Sequence, residues 1–195
     1  MTQIQLQKEH LRTRVKTKLA AFKGQQKLLA DEKIRRYLIN FEPYQKVKKV
    51  CFYVSTKEEV DTKEIIKTEL QKKQKQIIVP KIDRYNLKLF LITSFADLKK
   101  GKFDILEPKE NLAEIDKSEI DLFIVPGVVF DNRGNRIGKG KGYYDRLLQD
   151  IQAIKVGLTY DFQAQENIPF ESHDQPVDYL ITNKILKETK NLMWI

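Results

Sequence analysis

The sequence predicts an α/β fold, a three-layer α/β/α sandwich with a mostly parallel sheet, formed by a single domain over residues 1–195. Short, continuous apolar runs recur along the chain, which is typical of strands buried on both faces of a parallel sheet. Amphipathic helical patterns alternate with these runs, as in consecutive βα units. No internal repeat, low-complexity tract or Gly/Ser linker divides the 195 residues, so their number suits one domain.

Two amphipathic helices are predicted at the start of the chain, before Pro43. Their apolar residues recur at helical spacing and are Leu11, Val15, Leu19 and Phe22 in the first helix and Leu28, Ile34 and Leu38 in the second. Asp61 and Glu64 can cap the start of a third helix. The apolar residues of that helix are Ile65, Ile66 and Leu70.

Six strands are predicted from the apolar runs. They are residues 50–54, 76–79, 87–92, 122–125, 156–159 and 179–181. The second strand is expected to stop at Pro80, because proline cannot donate a ladder hydrogen bond. Pro126 and Gly127 follow the fourth strand, and open α/β sheets bind their ligands at the carboxyl ends of strands. A binding site is therefore expected beside these two residues.

The segment with the clearest chemistry is IGKGKGYYDRLL, residues 137–148. Gly138, Gly140 and Gly142 alternate with Lys139 and Lys141, so backbone N–H groups can approach an anion without a Cβ in the way. The two ammonium groups can converge on the same anion. The run is neither a Walker A loop nor a dinucleotide-binding fingerprint, which would need a further glycine. It predicts a phosphate cradle of another kind.

Residues on both sides of this loop support the same prediction. A helix is expected to open at residues 142–145, where unpaired N–H groups and the helix dipole favour phosphate. Arg136 and Asp145 add a cation and a hard oxygen ligand within ten residues of each other. The combination suits a magnesium-nucleotide.

The composition of the chain indicates which kinds of binding partner to expect. Lysine and arginine number 36 against 27 aspartate and glutamate, and the net charge of +9 favours anionic ligands. The basic residues form no block and no repeated base-stacking aromatics accompany them, so nucleic-acid binding is a weak alternative and no nucleic-acid partner is expected. The apolar runs are far shorter than the roughly 20 residues that span a bilayer, so no membrane partner is expected. With no secretory signal pattern at the amino terminus, a cytoplasmic location is expected.

The run FDNRGNRIGKGKGYYDRLL, residues 130–148, closely resembles the signature of the 5-formyltetrahydrofolate cyclo-ligases, also called 5,10-methenyltetrahydrofolate synthetases. Other segments match in the family's order and are KEHLR at 8–12, EVDT at 59–62, FDILEP at 103–108 and DQPVDYLIT at 174–182. The resemblance covers residues 8–182. It implies a three-layer fold similar to that of ribose-phosphate isomerases and CoA transferases.

The resemblance also implies roles for individual residues. The amino-terminal nucleotide contact is Lys8, Glu9, His10, Leu11 and Arg12. The nucleotide loop is Arg136, Ile137, Gly138, Lys139, Gly140, Lys141, Gly142, Tyr143 and Tyr144. The folate-binding residues are Val54, Glu59, Lys139, Gly140, Lys141, Gly142 and Tyr143. Glu59 is expected to hydrogen-bond the pterin ring, and Asp145 and Asp178 are expected to hold magnesium.

The implied reaction converts 5-formyltetrahydrofolate to 5,10-methenyltetrahydrofolate while ATP, the co-substrate, becomes ADP and phosphate. Phosphorylation of the formyl oxygen activates an amide-like carbon, which the neighbouring folate nitrogen then attacks. Arg136, Lys139 and Lys141 are the expected catalytic residues, since substrate alignment and charge neutralisation are all that the protein must supply. A monomer or a weak homodimer is expected.

A second class of enzyme stays open. A sugar-phosphate isomerase or a CoA-utilising enzyme of similar fold would also use a glycine-rich phosphate loop. Neither would require ATP turnover, so ATP dependence separates these alternatives from the ligase.

Overall fold

The computed structural model describes residues 1–101 and 105–189. Residues 103 and 104 of the FDILEP segment lie outside the described residues, as do the last residues of the chain, 190–195. Five α-helices are present in the described part, and none of them is long and apolar enough to cross a membrane. They are α1 (Gln3–Ala21), α2 (Gly24–Ile39), α3 (Glu42–Lys46), α4 (Lys63–Lys72) and α5 (Tyr143–Leu148).

The helix starts follow local chemistry. Thr2 and Gln5 form a capping box at the start of α1, in which each side chain accepts the other's backbone N–H. The N-cap residue of α4 is Thr62, which makes no side-chain cap bond. Asp61 Oδ1 accepts the N–H of Lys63 at 3.1 Å and so supports the helix start as predicted, whereas Glu64 pairs with Lys67. The prediction that Leu28 lies on the buried face of α2 is wrong, because Leu28 is 69% exposed. That face consists of residues four apart, which are Ala30, Ile34 and Leu38.

Thirteen short strands lie in the described residues. They are β1 (Lys49–Cys51), β2 (Gln76–Asp83), β3 (Asn86–Ile92), β4 (Leu98–Lys100), β5 (Leu106–Pro108), β6 (Glu114–Ile115), β7 (Leu122–Val125), β8 (Val129–Asp131), β9 (Arg136–Ile137), β10 (Ile154–Leu158), β11 (Ala164–Gln165), β12 (Tyr179–Ile181) and β13 (Leu186–Glu188). All six predicted strands are present, although their bounds differ. The short strands β4, β5, β6, β8, β9, β11 and β13 lack a long apolar run, so the sequence pattern missed them.

The main sheet has eight strands in the order β13-β12-β10-β7-β1-β2-β3-β6. Its centre is parallel, from β12 through β10, β7 and β1 to β2, and its margins β13, β3 and β6 pair antiparallel. The prediction of a mostly parallel sheet therefore holds for the centre. Two smaller sheets accompany it, with orders β11-β8-β9 and β4-β5.

The central strands read as continuous apolar runs because both faces of the sheet are buried. In β7, Leu122 and Ile124 belong to one buried cluster, whereas Phe123 and Val125 belong to a second cluster on the other face. The first cluster includes the apolar sides of α1, α2 and α4. The second cluster includes Leu147 and Leu148 of α5. The expected helical layers are thus unequal, since the second face carries a single helix of six residues together with the small sheet around β8.

Two predicted strand ends differ from the structure. The strand expected at residues 50–54 ends at Cys51, although Phe52 still donates a backbone hydrogen bond to Ile78 at 2.9 Å. The strand expected to stop at Pro80 continues to Asp83. The backbone of Ile78 hydrogen-bonds to β1. The backbone of Pro80, two residues later, points to the same side of β2, but β1 has already ended there. No ladder bond is lost there, and β2 forms a hairpin with β3.

The carboxyl ends of β1 and β7 lie side by side. The chain leaves β1 through residues 52–62 and leaves β7 through Pro126 and Gly127. The β2–β3 hairpin projects past the end of β1, since β1 pairs with β2 only as far as Ile78. These segments surround the site.

Candidate active site

A pocket of about 550 Å³ opens at this end of the sheet, beside Pro126 and Gly127 as the sequence predicted. The residues that line the pocket include five cations, called the cationic side below, which are Lys8, Arg12, Arg136, Lys139 and Lys141. The lining also includes apolar residues, called the apolar side below, which are Val54, Pro80, Ile82, Leu87, Ile105 and Leu106. A ligand that fills the pocket would therefore have an anionic part and a largely apolar part.

The glycine loop, residues 138–142, crosses the cationic side between β9 and α5. Gly140 has φ +91° and Gly142 has φ +65°, conformations that a residue with a Cβ rarely adopts. Gly138 has no positive φ. The loop thus requires glycine at two of its three glycine positions, and the turn it makes leads into the first residue of α5, Tyr143.

Arg12 joins α1 to the glycine loop. Its Nε donates to the carbonyl of Gly138 at 2.8 Å, and Nη1 donates to Glu9 at 2.9 Å. The guanidinium also lies beside Gly140, whose added Cβ would meet Arg12 Cζ at 3.7 Å. The structure therefore brings Arg12 and the loop together, although 126 residues separate Arg12 from Gly138 in the sequence.

Lys8 lies one helical turn before Arg12 and is 5% exposed. Its ammonium group donates to Glu171 at 2.9 Å and to Asp174. Burial lowers the pKa of Lys8, but the hydrogen bonds to Asp174 and Glu171 outweigh burial and raise the pKa overall. Lys8 and Asp174 both line the pocket as a charge pair.

Arg136 and Asp145 form a second charge pair in the pocket wall. Arg136 Nη2 donates to Asp145 Oδ1 at 2.6 Å, and the guanidinium lies 5.8 Å from the ring centre of Tyr144. Burial lowers the pKa of Arg136, and the adjacent Asp145 carboxylate opposes this shift. Asp145 Oδ1 also accepts the backbone N–H of Gln175 at 3.2 Å, so Asp145 bonds both Arg136 of β9 and the segment that carries Asp174.

Glu59 faces the glycine loop from the other side of the pocket. Its Oε1 lies 2.7 Å from Lys139 Nζ, and its Oε2 accepts the N–H and the hydroxyl of Thr56 at 2.8 and 3.0 Å. Val54 lines the pocket just upstream. Oε1 is thus the oxygen that Glu59 presents to the pocket, where Lys139 is its partner.

Buried hydrogen bonds fix the segment that carries Glu59. The hydroxyl of Tyr160 donates to Asp31 at 2.7 Å and contacts the carbonyl of Glu59 at 3.2 Å. Thr62 donates to the carbonyl of Tyr53 at 2.6 Å, which ties the end of the segment to its beginning. Because these groups are buried, the loop around Glu59 is held in place before any ligand binds.

Three predicted nucleotide contacts lie at the margin of the pocket or outside it. Glu9 is exposed and pairs with Arg12, so it acts on the site through that arginine. His10 is exposed, and Leu11 packs against the core. Both line a shallow depression beside Ile168 rather than the pocket. On a helix, positions 8 and 12 lie one turn apart on one face, whereas position 10 points away from that face.

The structure does not bring Asp178 to Asp145, so the expected shared metal site is not formed by these two residues. Asp178 precedes β12, and its Oδ2 accepts the N–H of Lys155 at 2.8 Å near the amino end of β10. Asp121 has the same structural role, since it precedes β7 and accepts the N–H groups of Lys48 and Lys49 beside β1. An aspartate in this position fixes the start of a neighbouring strand, at the end of the sheet opposite the pocket.

Sequence reasoning missed several pocket residues. Asp174 stands in the quoted DQPVDYLIT segment, four residues before Asp178, and it is the aspartate of that segment that lines the pocket. Nothing in the local sequence distinguishes these two aspartates. The apolar wall from the β2–β3 hairpin was missed as well, because Pro80 suggested a strand end.

Comparisons with known proteins agree on one family. Residues 4–183 match the family model described as the 5-formyltetrahydrofolate cyclo-ligase family. The 5-formyltetrahydrofolate cyclo-ligase of Haemophilus influenzae is 30% identical, over 87% of this chain and 94% of the relative. The mitochondrial 5-formyltetrahydrofolate cyclo-ligase of Arabidopsis thaliana is 32% identical, over 90% of this chain and 74% of the relative.

Two solved structures have the same architecture. The 5,10-methenyltetrahydrofolate synthetase of Aquifex aeolicus superimposes with a TM-score of 0.85 and 36% identity, covering 96% of this chain and 95% of that one. The 5,10-methenyltetrahydrofolate synthetase of Mycoplasma pneumoniae gives a TM-score of 0.73 and 26% identity, covering 90% of this chain and 98% of that one.

Proposed function

Because this chain belongs to the 5-formyltetrahydrofolate cyclo-ligase family, we propose that it converts 5-formyltetrahydrofolate to 5,10-methenyltetrahydrofolate while ATP becomes ADP and phosphate. The named relatives are cyclo-ligases and synthetases, so the sugar-phosphate isomerase and CoA-utilising alternatives receive no support.

The combination of cationic and apolar residues in the lining of one pocket is the observation that carries the proposal. The cationic side, with Lys8, Arg12 and the glycine loop, suits the triphosphate of ATP. The apolar side suits the ring system of a folate, and Glu59 offers an oxygen to the polar edge of that ring. Tyr143 also lines the pocket, at the junction of the loop and α5.

The reaction needs alignment more than it needs a reactive side chain. The formyl oxygen forms a bond to the γ-phosphorus as the bond from that phosphorus to the β-phosphate oxygen breaks, and ADP leaves. The second folate nitrogen then attacks the activated carbon and loses its proton. The carbon–oxygen bond breaks, and phosphate departs with the bonding electrons. No protein nucleophile takes part.

The loop residues supply the electrostatic component. Lys139, Lys141 and Arg136 would neutralise charge that develops on the transferred phosphoryl group, and backbone N–H groups of the loop would bind its oxygens. Holding the two substrates in one orientation removes the entropic cost of a bimolecular encounter. The prepared position of Glu59 serves this orientation on the folate side.

We infer that a magnesium ion would be held by two carboxylates that were not predicted as a pair. Asp145 and Asp174 both line the pocket, whereas Asp178 does not. Magnesium requires few protein ligands when phosphate oxygens and waters complete its coordination. We therefore expect Asp145 and Asp174 to hold the ion, which would shield the charge of the ATP phosphates.

The direct test is to mix the protein with Mg-ATP and 5-formyltetrahydrofolate and to follow the near-ultraviolet absorbance of the methenyl product. Product is expected only when ATP and a divalent cation are both present. Equal product formation without ATP would exclude the ligase reaction. Binding of both ligands without product would limit the protein to a binding role.

A further inference from the structure

Arg146 connects the glycine loop to the β2–β3 hairpin. Its Nε donates to the carbonyl of Tyr85 at 3.0 Å, and its Nη2 also donates to that carbonyl. Nη2 donates as well to the carbonyl of Lys141 at 3.1 Å. The guanidinium lies 5.4 Å from the ring centre of Tyr143. One exposed side chain thus contacts the hairpin turn, the loop and the first residue of α5.

The third glycine of the loop accommodates this arginine. A Cβ at Gly142 would lie 2.8 Å from Arg146 Nη1, so the guanidinium would have to shift. The requirement for glycine at this position comes from its φ of +65°. The contact nevertheless shows that Arg146 lies directly against the loop.

The hairpin turn needs an external support. Beyond Val79, no strand in the described part of the chain pairs with β2 on the side of β1, and β6 pairs with β3 only at Leu89 and Phe90. A two-stranded extension of this kind is marginally stable by itself. Tyr143 and Arg146 of α5 supply contacts to its turn, through the carbonyls of Arg84 at 3.3 Å and Tyr85.

The hairpin carries Pro80, Ile82 and Leu87 of the apolar pocket wall, and the loop carries the phosphate-facing groups. We propose that Arg146 is a positioning residue for the reaction, which fixes the distance between the folate-binding wall and the phosphate-binding loop. This inference rests on the proposed function. The inference extends the proposed function by assigning the alignment of the two substrates to a residue that touches neither reacting atom.

The planar geometry of the guanidinium group allows a positioning role of Arg146 to be distinguished from a role that depends only on its charge. A lysine at this position would keep the positive charge but cannot donate to the Tyr85 and Lys141 carbonyls with one planar group. Arg146→Ala and Arg146→Lys should therefore lower kcat by about tenfold, since small misplacements of reacting groups have effects of this order or larger. ATP affinity measured without folate should change by less than about threefold, because the phosphate-facing groups remain.

A second measurement tests the connection without using the reaction. The Arg84–Tyr85 bond lies in the exposed hairpin turn, where Tyr85 is 80% exposed, and trypsin cleaves after arginine. Loss of the Arg146 hydrogen bonds should increase the cleavage rate at this bond about fivefold or more, because local opening becomes easier. Arg36→Ala, which removes an exposed arginine on α2, is the matched control and should leave cleavage and kcat unchanged.

The two measurements separate the possible failures. If the parent protein forms no methenyl product, the proposed function fails, and the trypsin result still decides whether Arg146 holds the hairpin. If Arg146→Lys retains the parental kcat, Arg146 acts as a charge and the inference is overturned. Parental trypsin sensitivity in Arg146→Ala would overturn it equally, as would a parental kcat in that variant.

Discussion

At the scale of single residues, the pocket is held together by ion pairs that a ligand would have to share or replace. Lys139 pairs with Glu59 across the pocket at 2.7 Å, and Arg136 pairs with Asp145 at 2.6 Å. Lys139 is 55% exposed in its side chain whereas Glu59 is 17% exposed, so the lysine is the partner that moves more easily. A folate bound to Glu59 would release Lys139 toward the phosphates.

Glu59→Gln should weaken the binding of 5-formyltetrahydrofolate by about tenfold, because an amide replaces a charged hydrogen-bond acceptor. ATP affinity of the same variant should change by less than about threefold, since Lys139 then loses a partner that competes with phosphate. Calorimetric titration with each ligand separately measures both effects, and Glu58→Gln, at the exposed neighbouring position, is the control. Equal weakening for the two ligands would show that Glu59 does not belong to the folate side.

Gly140→Ala should impair ATP binding more than Lys139→Ala does. Space does not limit the change, because the new Cβ would meet Arg12 Cζ at 3.7 Å, an ordinary contact. The φ of +91° does limit it, since an L-residue held there costs about 1–3 kcal/mol and the loop would change shape. Lys139→Ala leaves Lys141, Arg136 and the backbone N–H groups in place.

Gly138→Ala is the matched control for this comparison. Gly138 has no positive φ, and its added Cβ would meet only the end of the Arg136 side chain, at 3.3 Å. Mg-ATP affinity of the three variants, measured by calorimetry, should fall most for Gly140→Ala and least for Gly138→Ala. Parental affinity in Gly140→Ala together with lost affinity in Lys139→Ala would mean that one lysine, rather than the loop, holds the phosphates.

At the scale of secondary-structure elements, short strands are fixed by side chains at their ends. Asp121 and Asp178 each stand immediately before a strand and accept backbone N–H groups at the start of the adjacent one. The pocket lies at the other ends of these strands, where loops instead of capping side chains follow. One end of the sheet thus carries side chains that stabilise the strand starts, and the other end forms the pocket, as is usual in open α/β proteins.

Asp178→Asn should therefore lower stability without removing activity. The expected loss in the free energy of unfolding is about 1 kcal/mol, the usual net contribution of a hydrogen bond, and turnover should stay within about twofold of the parent. Asp145→Asn and Asp174→Asn should lower turnover about tenfold or more, with the largest deficit at low magnesium. Urea unfolding and turnover across a magnesium titration measure both quantities.

Asp121→Asn serves as the control for the strand-start role and should behave like Asp178→Asn. A result in which Asp178→Asn loses magnesium-dependent turnover while Asp174→Asn keeps it would restore Asp178 to the metal site. It would also require a different arrangement of the segment between Asp174 and Asp178.

At the scale of the whole molecule, the core contains ionisable groups that are kept neutral by burial. Burial raises the pKa of the Cys51 thiol above its ordinary value of 9.0, and it raises the pKa values of Tyr53 and Tyr144 above their ordinary value of 10.0. In the unfolded chain these groups ionise near their ordinary values. The contribution of each neutral group to stability is therefore fully present below its unfolded pKa and is lost as the pH rises toward the folded pKa.

With respect to these groups, the free energy of unfolding should be nearly level up to about pH 8 and should fall as the pH rises further. Each group should contribute a slope of about 1.4 kcal/mol per pH unit once the pH exceeds its unfolded pKa by about one unit. Urea titrations at several pH values measure the slope. Tyr144→Phe should reduce this slope by the contribution of one group. The substitution should disturb the fold little, because no described residue hydrogen-bonds the Tyr144 hydroxyl. An unchanged slope in that variant would contradict a raised pKa for Tyr144.

The sequence by itself determined the family, the α/β class and the position of the glycine loop. Continuous apolar runs such as Leu122–Val125 identify strands because burial on both faces leaves no polar position, and this relation is local. The positive φ values at Gly140 and Gly142 are also local requirements, because a residue without a Cβ adopts them freely. Lys8 and Arg12 could be paired from helical spacing alone.

Only the tertiary structure decided which distant residues meet. The choice between Asp174 and Asp178 depends on which end of the sheet each residue reaches, and the two aspartates look alike in sequence. The folate-side wall depends on whether β2 continues past Pro80, which in turn depends on where β1 ends. The role of Arg146 depends on carbonyl groups about 60 residues away, at Tyr85. Such contacts arise from packing between elements, and local spacing carries no information about them.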